Sequence, residues 1–150
     1  MTKMPYGRLL VMAVLSFASM YVLMYAMVNR LANVYPNLNQ FYMAGLMAAP
    51  MVIIELAVMG AMYSDKKRNV AILAASLVAL GMFWVFIRTQ AAITDKQFLR
   101  SMIPHHAGAI LMCQKSPARD PEIKRLCGEI IASQQSEIAQ MKARLAELER

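Results

Sequence analysis

Residues 9–29, LLVMAVLSFASMYVLMYAMVN, carry no charged side chain. At about 1.5 Å of rise per residue, a helix of this length crosses a hydrocarbon layer roughly 30 Å thick. The pattern recurs twice. Residues 41–63 hold one carboxylate, Glu55, and residues 70–87 hold no charge. With 59% hydrophobic side chains in 150 residues, the chain is too short to wrap three such helices in a polar shell. The sequence therefore predicts an all-α membrane protein. Its transmembrane region is residues 1–88, with helices at about 9–29, 41–63 and 70–87, and a domain of different character covers residues 89–150.

Working outward, the basic residues set an orientation. Lys3, Arg8, Lys66, Lys67 and Arg68 fall on one side of the layer, and Arg30, Arg88, Lys96 and Arg100 on the other. The Lys66-Lys67-Arg68 cluster lies in a very short connection, where positive charge is held most firmly on the cytoplasmic side. This predicts a cytoplasmic N-terminus and a periplasmic or extracellular C-terminal domain in a bacterial inner membrane. The first span lacks a small-residue cleavage signature and reads as a retained helix. Tyr42, Phe83, Trp84 and Phe86 suit an outer interfacial belt.

The formal net charge of +7 is largely topological. Residues 1–88 carry seven basic and two acidic side chains, whereas residues 89–150 carry nine and seven. The C-terminal domain has no concentrated basic face, which argues against nucleic acid as a partner. Membrane lipids are the expected surroundings.

From Thr94 the sequence turns amphipathic. Thr94 and Gln97 have capping-box spacing, and Asp95 suits a first turn. Phe98, Leu99, Met102, Ile103, His106, Ile110 and Cys113 then recur at helical spacing, with Pro104 bending the axis. Asp120-Pro121-Glu122 starts a second helix, whose stripe runs Ile123, Cys127, Ile130, Gln134, Ile138, Met141, Leu145 and Leu148. The short connection makes an antiparallel hairpin outside the membrane. About 60 residues form a marginal core. Pairing with the same hairpin of a second subunit, giving a four-helix bundle, is one remedy, and docking on the membrane surface is the other.

The candidate chemistry lies on the first hairpin helix. His105 and His106 are the chain's two histidines, with Met102 three and four residues before them and Met112 and Cys113 beyond. Imidazole with thioether donors suits copper, and thioether favours Cu(I). On the second helix Gln134, Glu137 and Met141 form a mixed stripe, from which Glu137 is placed to accept a ring N–H of His106 and orient it. The same residues equally fit a structural hydrogen bond that pins the two helices, with methionine as filler. Glu55, inside the second span, should face protein. A turn centred near residue 118 places Cys113 and Cys127 about 10 Å apart, predicting two free thiols with Cys113 available as a soft ligand.

Phe98-Leu99-Arg100-Ser101-Met102-Ile103-Pro104-His105-His106-Ala107-Gly108-Ala109-Ile110 resembles the signature of the bacterial family called domain of unknown function 305. Ile130 through Met141 is similar to that family's second motif, so the resemblance covers about residues 93–149. It implies a ferritin-like helical bundle in a membrane-bound form with three spans. It also implies copper binding or resistance through Met102, His105, His106, Met112, Gln134, Glu137 and Met141. Cys113 departs from the family, standing where alanine is usual. No phosphate loop, catalytic triad or repeated Glu-x-x-His set is present, so no enzymatic activity is expected. Two functions remain in view: a membrane-anchored extracytoplasmic protein that binds or buffers copper, or a non-catalytic membrane scaffold whose His, Gln and Glu are structural.

Overall fold

The structure is a computed structural model that describes residues 5–150; Lys3, counted above for orientation, lies outside the described residues. Five α-helices follow one another: α1 (Pro5–Leu23), α2 (Leu38–Val58), α3 (Lys66–Thr89), α4 (Asp95–Lys115) and α5 (Pro121–Leu148). Short 3-10 turns at Met24–Met27, Leu31–Asn33 and Gly60–Met62 join the first three. No strand occurs among the described residues. Three helical stretches are long and apolar enough to cross a membrane: Tyr6–Met27, Leu38–Val58 and Lys66–Thr89. None of the most apolar window of the third is buried within the protein, and 33% of the second's is.

The third span starts earlier than its apolar run. Asp65 caps α3 by accepting from the Arg68 amide at 3.1 Å, so Lys66, Lys67 and Arg68 form the helix's first turn and not a loop. At the opposite end Gln90, with φ 51°, is left-handed, and the Ala91 amide bonds back to the Phe86 carbonyl at 3.0 Å. That arrangement satisfies a carbonyl of the last turn.

The chain divides into two compact units. One unit is the chain up to Met24 with Asn39–Ala92; the other is Tyr25–Leu38 with Ile93–Arg150.

In the first unit, aromatic side chains bridge the helices. Phe17 meets Phe41 edge-on at 4.9 Å, and Tyr42 lies 5.4 Å from Phe86. The Phe83 ring sits against Gly45 so closely that a Cβ there would collide with it. Phe83 and Phe86 are therefore helix-packing residues, whereas Trp84 is 58% exposed, as an interfacial residue would be. Hydrogen bonds gather at the helix ends. The Tyr42 hydroxyl donates to the Ala91 carbonyl at 2.8 Å, and Gln40 donates to the Tyr21 carbonyl at 3.0 Å. At the other end Tyr6 donates to Asn69 at 2.7 Å and accepts from the Asp65 amide at 3.1 Å. Glu55 faces protein as expected, accepting from the Tyr63 hydroxyl at 3.1 Å.

In the second unit α4 and α5 form the antiparallel hairpin. Asp120 caps α5 through the amides of Glu122 and Ile123, with Pro121 at the first helical position. The Thr94 hydroxyl accepts from the Gln97 amide at 3.4 Å, but the Gln97 side chain does not reciprocate; it accepts from the Leu38 amide at 3.0 Å. The core is Ile103, Ala107, Ile110, Ile138 and Leu145, with Val28, Tyr35, Leu99 and Met141 against it. Phe98, included in the expected stripe, is instead 49% exposed.

Val28 and Tyr35 belong to the segment between α1 and α2, which packs on the hairpin. Lys142 donates to the Ala32 carbonyl at 2.9 Å and lies 6.0 Å from the centre of the Tyr35 ring. Tyr25 donates to the Tyr35 carbonyl at 2.8 Å, closing the segment on itself. Gly108 lets the Met27 carbonyl approach to 3.5 Å from where a side chain would begin.

The Gly45–Phe83 contact gives a direct test. Gly45→Val should destabilise the detergent-solubilised chain by about 1–3 kcal/mol through overpacking, and adding Phe83→Leu should recover part of the loss. Additive losses in thermal unfolding would show that the notch is not shared.

Candidate functional site

His106 is 8% exposed, deep in the seam between α4 and α5. Its Nδ1 lies 2.9 Å from the Met102 carbonyl oxygen, four residues back on the same helix. Its Nε2 lies 2.7 Å from Oε2 of Glu137 on α5. The other carboxylate oxygen, Oε1, accepts from the Ser133 hydroxyl at 2.7 Å, again one turn back. Four polar groups thus form one chain: Met102 carbonyl, His106 ring, Glu137 carboxylate, Ser133 hydroxyl.

The chemistry of this chain follows from its acceptors. A carbonyl and a carboxylate both only accept, so the ring satisfies both when each nitrogen carries a hydrogen. A ring N–H donated to the Glu137 carboxylate is a charge-assisted bond. The hydrogen bond from Ser133, then that from His106, holds the Glu137 carboxyl below its ordinary range, with the His106 charge acting in the same sense and desolvation opposing. In this geometry both ring nitrogens of His106 are occupied by protein partners.

The other expected site residues are dispersed. His105 is exposed, its ring centre 6.0 Å from that of His106 and its plane tilted by 65°. Met102 is half-buried and enters the site through its backbone carbonyl. Met141 packs on the hairpin core, Gln134 is half-buried, and Met112 is 56% exposed. Among the described residues, no group of three or more His, Cys, Asp or Glu side chains is placed to hold a metal ion.

Cys113 and Cys127 are both free and both half-buried. The neighbouring Cys127 thiol, followed by desolvation, pushes the Cys113 thiol pKa up. Sequence reasoning missed Ser133, although its position four residues before Glu137 is the spacing at which one helical side chain reaches another.

The family described as domain of unknown function (DUF305) matches residues 84–145. An uncharacterized protein of Acanthamoeba polyphaga mimivirus is 36% identical over 144 residues, covering 94% of this chain and 93% of the relative. That similarity therefore takes in the apolar helices as well as the hairpin. No solved structure matches the chain.

The depressed Glu137 carboxyl carries a signed expectation. A carboxyl lowered on folding adds stability that is present above its ordinary value near 4.5 and is lost as pH falls through the lower folded value. Acid unfolding of the hairpin, followed by helix content, should therefore begin earlier and lose this component in Glu137→Gln. Superimposable acid profiles for the two proteins would refute the pairing.

Proposed function

This chain belongs to the DUF305 family, and we propose that it is a non-catalytic, membrane-anchored interaction module whose head is the hairpin together with residues 25–38. The observation that carries the reading is the closed polar chain through His106. Both ring nitrogens are engaged with acceptors, so the most buried histidine serves the pairing of α4 with α5. The apolar side chains left on the hairpin surface, Ile123, Leu126 and Met112, support a homo-oligomer formed through that surface, in the manner of a four-helix bundle of ferritin-like type.

Three crossings by α1, α2 and α3 put residues 25–38 and 93–150 on the same side of a membrane. Packing of those two stretches in one compact unit supports that count. The Lys66-Lys67-Arg68 turn takes the opposite side, which by the positive-inside rule is the cytoplasm. The head then stands at the periplasmic or extracellular face of a bacterial inner membrane. A reporter active only outside the cytoplasm should work when fused after Arg150, and neutralising Lys66, Lys67 and Arg68 should weaken its signal. A strong cytoplasmic signal from the unaltered fusion would reverse the orientation.

A second reading, copper binding or buffering, is favoured by the exposure of His105 and Met112 on the helix that carries Cys113. His105, Met102, Met112 and Cys113 would supply nitrogen and sulfur donors of the kind Cu(I) takes. It would draw on His106, Glu137 and Met141 only after the hairpin seam rearranged.

The two readings separate on the paired histidines. If His106 is structural, His106→Ala destabilises the full chain by about 1–3 kcal/mol, while His105→Ala stays within about 0.5 kcal/mol. Cu(I) affinity, measured by competition with a chromogenic chelator, should be the same for both variants and the parent. A drop of tenfold or more in affinity on losing His105, with stability unchanged, would favour the copper reading instead.

A further inference from the structure

An open apolar groove of about 840 Å³ runs along α1 from Gly7 to Leu23, lined by Val11, Met12, Leu15 and Ser16 between them. At about 1.5 Å of rise per residue it is longer than one leaflet of a bilayer is deep, roughly 15 Å. The packing of α1 on α2 leaves it free, because that contact goes through Phe17 and Phe41 at 4.9 Å. Val11 and Leu15 stand exposed.

Arg8 closes the groove at one end. Residues 9–29 beyond it carry no charge, so in a bilayer its guanidinium lies at headgroup depth. Arg8 is exposed, and among the described residues no carboxylate is paired with it. Space stands open beside it, since a Cβ at Gly7 would meet nothing within 4 Å. The same end of the unit is positive more widely. The Tyr6 hydroxyl accepts from the Asp65 amide at 3.1 Å, which sets the start of α3 level with that of α1. Lys66 and Lys67, exposed and likewise without a paired carboxylate, therefore lie near the depth of Arg8.

Two kinds of occupant suit an apolar groove in a bilayer, a helix of a second copy and a lipid. A second copy, oriented alike in the same membrane, would bring its own Arg8 to the same depth, setting like charges together across a symmetric contact. Close approach of helices in lipid also favours small residues one turn apart. Gly7 is followed one turn on by Val11, Ser16 by Met20 and Ser19 by Leu23, so the groove offers no such pair. A phospholipid of net negative charge answers both features. Its phosphate is a bidentate partner for a guanidinium, and its acyl chain suits the apolar wall.

We infer that α1 carries a binding site for one anionic phospholipid. Arg8 holds the phosphate, Lys66 and Lys67 add attraction near the same depth, and an acyl chain lies along Val11, Met12 and Leu15. The site rests on the reading of α1 and α3 as membrane spans and is independent of His106 and of copper.

The test uses the full chain. Reconstituted in phosphatidylcholine vesicles, it should stay with them through an alkaline carbonate wash; release would overturn the membrane reading and the site with it. The chain in detergent is then titrated with phosphatidylglycerol and, separately, with phosphatidylcholine of the same acyl chains, and bound lipid is counted by native mass spectrometry. One phosphatidylglycerol per chain should bind about tenfold more tightly than phosphatidylcholine, and Arg8→Gln should weaken its binding about fivefold. Gly7→Leu, which the open space beside Gly7 accommodates, should lower affinity for both lipids with thermal stability unchanged. Equal affinity for the two lipids, undiminished binding by Arg8→Gln or Gly7→Leu, or cross-linking between chains through Val11→Cys that the parent does not show, would each overturn the site while the membrane reading stands.

Discussion

The contact between His106 and Glu137 fixes the head of this protein. It joins two helices at a single register, because the imidazole is too buried to be solvated if the carboxylate moves away. Sliding α5 by one turn would leave a polar ring in an apolar seam, a cost of about 1–3 kcal/mol. The core residues Ile103, Ala107 and Ile110 would tolerate such a slip better, since one aliphatic side chain packs much like another. The pair therefore adds specificity to a hydrophobic contact that is sticky but undiscriminating. Arg100–Glu149 agrees with this register, but its exposure on both sides makes it a weaker determinant.

The apolar unit is organised differently. Its helices meet through ring contacts and one glycine notch, while the polar side chains that bond between helices gather near the two ends. Tyr6, Asp65 and Asn69 satisfy one another at one end, and Tyr42, Gln40, Asn39 and Gln90 bond with backbone and amide groups at the other. This is the distribution a hydrocarbon layer imposes, because backbone groups that lose their helical partners must find others before they enter it. Much of the apolar surface of α1 and α3 has no protein against it, and lipid or a second subunit would cover it.

How much of this was readable in advance depended on sequence distance. The caps at Thr94 and Asp120, the proline at the start of α5 and the three apolar helices are local features, and each stands where the residues indicate. The facing of His106 and Glu137 was also legible, since helical periodicity puts both on inward stripes. What periodicity cannot supply is the axial offset between two helices, and with it how near Cys113 and Cys127 come. Nor can it reveal that Gln97 abandons its capping role for the Leu38 amide, or that Lys142 reaches the Ala32 carbonyl across 110 residues of sequence. Tyr25, Asn33 and Tyr35 look like ordinary loop residues until the hairpin is beside them.

Residues 25–38 are continuous at both ends with apolar helices, yet they are packed into the head. The head is consequently sewn to the rest of the protein by three passages of the polypeptide, near residues 24, 38 and 92, and not by one hinge. It also means that no continuous fragment of the gene encodes the head by itself. A protein cut to residues 93–150 would leave behind Val28 and Tyr35, and with them part of the cover over its own core.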